Sequence, residues 1–178
     1  MRRFSITTGV ATVLVFFATA TDAQVARSGY VLPLSLATEA AAEAVRVCEG
    51  NGYAISASVV DISGVVKVQA KGDHSTIHTR DSSFRKAYTV VTLGPIFRFD
   101  ASSAFAELAA KSPAGQAISS LPDILPLAGG VAIKAGDEVV AAIGVGGAPG
   151  GDKDEVCARA GATKIQDRVT AAAQKRAG

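Results

Sequence analysis

The chain holds few of the residue types that most directly announce a chemistry. It has one methionine, Met1, and only two cysteines and two histidines in 178 residues. A lone initiator methionine leaves no thioether to ligate a metal in the folded body. An excess of one charge is also missing, because 18 Lys and Arg stand against 16 Asp and Glu. That balance gives no electrostatic ground for a nucleic acid or an anionic membrane as partner. The apolar run from Val10 to Ala18 is too short to span a bilayer, which takes about 20 residues as a helix. Neither an internal repeat nor a low-complexity linker interrupts the sequence, and no Ser-His-Asp motif is recognisable.

What the N-terminus does have is the three-part layout of a secretory signal peptide. Arg2 and Arg3 precede the apolar run, and small residues follow it. Thr21-Asp22-Ala23 predicts cleavage after Ala23, with Ala20 as an earlier alternative. The mature chain is therefore expected in the periplasm or outside the cell, with no membrane span. Without residues 1–23, 16 basic residues face 15 acidic ones, a size and balance suited to one domain. In an oxidising compartment Cys48 and Cys157 are either a disulfide or two buried thiols.

Residues 24–34 read as a flexible leader and 35–174 as a single domain. Ser35 is placed to cap the helix "LATEAAAEAVRVCEG", which Asn51-Gly52 stops. "YAISASVVD" and "VVKVQAKG" alternate as strands and are joined by Asp61-Ile62-Ser63-Gly64, a hairpin. After the polar stretch 72–81, Thr79 or Asp81 caps a helix that ends at Gly94-Pro95. A helix over 101–111 and a short helical turn at 114–121 follow. Strands are expected at Ile124 to Leu127, Val131 to Ala135 and Glu138 to Val145, then a helix from Asp152 to Ala173. Strands joined by hairpins imply an antiparallel sheet with helices on its faces, an α+β domain.

The stretch "GVGGAPGGDKDEVCARAG", 144–161, invites a phosphate or metal reading that its residues do not support. It lacks the lysine of a Walker loop and the third glycine of a dinucleotide fingerprint. Asp152, Asp154 and Glu155 are too few and too crowded for a calcium loop. Asp152 with Glu155 instead spells a capping box. The N–H groups around Gly146 and Gly147, at a helix start, remain a place for a carboxylate.

Four segments in order resemble the GlcG/HbpS-like family of small haem-binding proteins. They are "LATEAAAEAVRVCEGNGYAISASVVDISGVVKVQAKGD", "HTRDSSFRKAYT", "PLAGGVAIKAGDEVVAAIGVGG" and the glycine-rich stretch itself. The resemblance covers roughly residues 33 to 170. It implies a profilin-like sandwich, with an antiparallel sheet of about five strands flanked by helices, and assembly as a homo-oligomer. It also implies haem as cofactor, bound for sensing or for degradation.

Haem iron takes His, Met, Cys or Tyr ligands, which leaves His74 and His78, then Tyr30, Tyr53 and Tyr88. His78-Thr79 stands where members of that family carry a His-Thr pair, so the resemblance implies His78 as axial ligand and iron contact. His74 is a second ligand or a surface residue. Ile77 departs from the proline common before that histidine. Two other readings stay open: both histidines are solvated, or Asp73, His74, His78 and Asp81 hold a divalent metal. Arg85 and Lys86 suit haem propionates, or a small organic acid bound together with the glycine-rich loop in a protein without haem. Phe84, Phe97, Phe99 and Phe105 are a pocket wall or simply core. No catalytic motif marks an enzyme; haem degradation would draw its chemistry from the bound group.

Overall fold

A computed structural model describes residues 29–177. The expected signal peptide and residues 24–28 of the expected leader lie outside the described residues. The described part of the leader is docked, because Tyr30 and Leu32 are both buried in the core. Helix α1 (Leu34–Gly50) follows. Its N-cap is Pro33, whose carbonyl accepts the Ala37 N–H at 3.0 Å, two residues ahead of the cap expected at Ser35.

Strands β1 (Ser56–Asp61) and β2 (Val66–Lys71) form the expected hairpin. Helix α2 (Thr79–Phe97) comes next, then α3 (Ser102–Lys111) and α4 (Pro113–Ser119). Strands β3 (Gly130–Ala135) and β4 (Glu138–Gly146) make the second hairpin, and α5 (Gly151–Ala177) closes the chain. The sheet runs β2-β1-β4-β3 and every pairing is antiparallel.

Among the described residues the sheet has four strands, one fewer than the resemblance implied. Ile124 to Leu127 do not form a strand, because neighbouring side chains take their backbone groups. Arg85 donates to the Ile124 carbonyl at 2.8 Å and Ser102 to that of Leu127 at 2.7 Å, while the Leu125 N–H goes to the Thr89 hydroxyl at 2.8 Å. Helix α2 also runs past its expected stop, through Pro95 to Phe97. Arg98 closes it in the left-handed region at φ 57°, and the Phe99 N–H returns to the Gly94 carbonyl.

The sheet has two different faces. Ile55, Ala57, Val59, Ala141, Ile143 and Val145 point at α1 and α5 and make the larger core. The other face is built of small residues. Register places Gly130 beside Gly144 and Gly144 beside Ser58, with Ser56 beside Gly146. Helix α2 lies directly in this trough. A β-carbon at Gly144 would collide with the Ser83 carbonyl, one at Gly130 with that of Lys86, and one at Gly146 with the Ser82 hydroxyl. The glycines of the second hairpin thus let a helix approach the sheet closely.

Candidate functional site

The loop 72–78 delivers both histidines to the start of α2. Gly72 donates to the Ile55 carbonyl at 2.8 Å and fixes the loop beside the start of β1. His74 holds a left-handed φ of 62°. It faces a cleft of about 320 Å³ shared with Glu49, Gly52, Tyr53, Ala54 and Asp73. Thr79 is fully buried, and its hydroxyl meets the Thr76 carbonyl at 2.6 Å and Ser56 at 2.8 Å. One turn on, the buried Ser83 and Ser58 hydroxyls meet at 2.8 Å, and Gln69 spans Ser58 and the Arg80 carbonyl. Polar pairs therefore fix the helix start on the sheet where an apolar core would otherwise sit.

His78 immediately precedes α2 and is exposed. Its Nδ1 lies 3.1 Å from the Thr76 hydroxyl. Its backbone is already helical, at φ −72° and ψ −17°, so positions 78, 81 and 85 share one face of the helix. Along that face a cleft of about 480 Å³ is lined by Asp81, Phe84, Arg85, Pro122 and Asp123. His78 and Arg85 are about 10.5 Å apart along the axis by helical rise. Arg85 spends one donor on the Ile124 carbonyl and retains others. Phe84 packs beside Tyr88 with ring centroids 5.5 Å apart. Of the four phenylalanines considered, Phe84 lines this cleft; Phe99 and Phe105 are buried core, and Phe97 is exposed.

Lys86 and the glycine-rich stretch are arranged differently from the expectation. Lys86 is fully buried, and its ammonium sits 2.6 Å from Asp154, which is also buried. It is not free to meet a propionate or an organic acid. The other Asp154 oxygen accepts the Ala148 N–H at 2.9 Å. Burial pushes the Asp154 carboxyl above the usual carboxylate range; Lys86 and the Ala148 and Gly147 N–H groups oppose that shift. The expected capping box is replaced by this arrangement. Asp154, rather than Asp152, holds the loop, and Glu155 turns to Arg159 at 2.6 Å. Gly147 adopts φ 132°, and a β-carbon there would come within 2.6 Å of the Ala54 carbonyl. The four-residue metal site of Asp73, His74, His78 and Asp81 is not formed either. Among the described residues no three His, Cys, Asp or Glu side chains gather to hold a metal.

The profile of the family described as haem degrading protein HbpS-like matches residues 32–163. The chain belongs to the HbpS-like family. Among solved structures, it is 38% identical to a double mutant of HbpS from Streptomyces reticuli. The likeness covers 83% of this chain and 98% of that one, with a TM-score of 0.70. A second HbpS structure gives 36% identity, 83% and 99% coverage and a TM-score of 0.71. Protein ORFY of Klebsiella pneumoniae shares the fold at 20% identity and a TM-score of 0.68, over 82% of this chain and 95% of that one. No curated protein sequence matches the chain.

In this HbpS-like chain sequence reasoning passed over Ser56, Ser58 and Thr76, and weighed Asp154 only as one of an acidic cluster, without its partner Lys86. The first two carried a signal. Two serines at strand period face Thr79 and Ser83 at helical period, a polar match between two elements. Asp154 gave none, since its partner lies 68 positions away. Cys48 and Cys157, on α1 and α5, are joined by a disulfide with Cα atoms 5.6 Å apart. No described helix is long and apolar enough to cross a membrane.

Proposed function

We propose that the chain is an exported haem-binding protein in which His78 contacts the iron, with haem sensing or degradation as its use. The observation that carries this reading is an exposed imidazole at the head of α2, on the helix face that leads to the Phe84–Arg85 cleft. Membership of a family described as haem degrading supports the ligand class. A PduOC–haem complex shares this fold at 15% identity and a TM-score of 0.66, which supports haem as the group.

The donor set suits haem. Imidazole is a usual axial ligand, an aromatic wall suits the macrocycle, and a guanidinium suits a propionate. Asp81 and Asp123 line the same cleft, and Asp81 is paired with Arg80 at 3.1 Å. When bound, haem would supply redox chemistry with oxygen or peroxide; the protein's part is to hold and orient it. Export is supported by the signal-peptide layout and by a disulfide that suits an oxidising compartment. Assembly with further copies is part of the proposal, supported by exposed Ile96, Phe97 and Leu108. The organic-acid alternative retains Arg85 but not Lys86, whose ammonium is committed to Asp154.

Hemin titration of the mature protein tests the reading. A Soret shift is expected in the wild type and in His74→Ala, and its loss in His78→Ala. An unchanged titration in His78→Ala would remove His78 as the ligand.

A further inference from the structure

Between β3 and α5 lies a cleft of about 420 Å³ that shares no residue with the Phe84–Arg85 cleft. Its two walls are tied together, because Gln166 of α5 donates to the Lys134 carbonyl of β3 at 2.8 Å. Arg159, Ala162, Thr163 and Gln166 recur at i, i+3, i+4 and i+7, so α5 turns one face to it. Each wall brings a cation, Lys134 from the strand and Arg159 from the helix. Val131, Ala132 and Ala162 add an apolar lining, and the volume falls within the range of small-molecule sites.

Both cations are held, and neither is used up. The Arg159 guanidinium meets the Glu155 carboxylate at 2.6 Å, and the Glu155 side chain is only 11% exposed. The second Glu155 oxygen is buried with no hydrogen-bond partner, so this acid serves Arg159 alone. A guanidinium has five N–H donors, and Arg159 spends one of them here. Lys134 pairs with Asp100 at 3.2 Å, and the Asp100 side chain is 59% exposed. Exposed pairs of this kind are weak, so an incoming anion can share Lys134 or displace Asp100. Thr163 supplies a third donor. Among the described helical threonines, Thr38, Thr89, Thr92 and Thr170 turn their hydroxyls back to the carbonyl four residues earlier, and Thr79 to the one three earlier. Thr163 makes no such bond, and it is an exposed residue at the rim of the cleft.

We infer that this cleft binds a small organic acid, its carboxylate held by Lys134, Arg159 and Thr163 and its short apolar body set against Val131, Ala132 and Ala162. Guanidinium and ammonium donors form their strong, charge-assisted bonds with a carboxylate, which makes it the group this donor set selects. The apolar lining favours a carbon body over a bare inorganic anion. The site is independent of the haem reading, since none of its residues belongs to the cleft beside His78.

Benzoate is the probe, titrated into nitrogen-15-labelled mature protein without haem. Amide shifts at Lys134, Thr163 and Gln166 should saturate with a Kd of about 1 mM or tighter, as suits a ligand of that size. Benzamide, the same shape without the charge, should bind about 10-fold more weakly, the loss expected for one charge-assisted bond. Benzoate should weaken by about the same factor in Lys134→Gln, whose partner Asp100 is exposed and tolerates the change. Arg159→Gln leaves Glu155 buried and unpaired, so Arg159→Lys, which keeps a cation beside it, is measured as well and should fall between wild type and Lys134→Gln. Thr163→Val, at an exposed helix position, should weaken binding with the fold kept. Unchanged affinity in Lys134→Gln, equal binding of benzamide, or saturating shifts confined to other regions would overturn the inference. Inorganic phosphate bound as tightly as benzoate would overturn the assignment to an organic acid. His78→Ala should bind benzoate as the wild type does; a loss there would move the acid to the other cleft and sink the proposal, whatever hemin does.

Discussion

Lys86 and Asp154 join the head of α5 to the middle of α2, and neither charge can reach water. Taking two ions out of water is costly, and close contact with further hydrogen bonds offsets that cost. Removing one partner leaves the other buried and unpaired. Lys86→Met should therefore destabilise the protein by about 3–5 kcal/mol, whereas adding Asp154→Leu should recover much of the loss. Urea unfolding of the single and double variants measures both. Burial holds the Asp154 carboxyl above its ordinary range, which fixes the sign of its pH dependence. Its contribution is full at acid pH, where the carboxyl is protonated in both folded and unfolded chains. It is lost as pH rises from the ordinary carboxylate range through the raised value. Carbon-13 titration of Asp154 should give a midpoint above that of a free aspartate; a lower one would mean that Lys86 outweighs burial.

At the scale of elements, the sheet face under α2 is a trough made by absence of side chains. Gly144→Ala would push a β-carbon into the Ser83 carbonyl, which is helix backbone and cannot step aside. A loss of about 1–3 kcal/mol or more is expected from such overpacking. Gly50→Ala, whose β-carbon would meet nothing, is the control and should be neutral or slightly stabilising. This trough explains how far the sequence could be read. Both hairpins, α1, α2, α3 and α5 were legible because period and turn residues are local signals. The glycines of 144–147 were visible but not interpretable, since Gly130, Gly144 and Ser58 form one row only once the register of β3, β4 and β1 is known. Ile124 to Leu127 misled for the opposite reason. Their apolar pattern is that of a strand, yet Arg85, Thr89 and Ser102 bind their backbone from other elements. His78 was legible through its sequence neighbours; the cleft beside it also needs Pro122 and Asp123, which only the fold brings near.

For the molecule as a whole, the outer edge of β3 is already occupied. Ser102 accepts the Gly130 N–H and the Asp100 carbonyl accepts that of Ala132, while Gln166 donates to the Lys134 carbonyl. The sheet is thus closed to extension at those positions. The disulfide secures the opposite layer, packing α1 against α5 in the larger core. Replacing Cys48 and Cys157 together by alanine should lower stability by about 2–4 kcal/mol, measured by denaturant unfolding against the oxidised wild type. The two cysteines are 109 positions apart, and all four strands lie between them. The polypeptide is in effect a covalent hoop with two tails. A protease that nicks any surface turn within the hoop would leave both pieces tethered, and they would separate only when a reductant opened the ring.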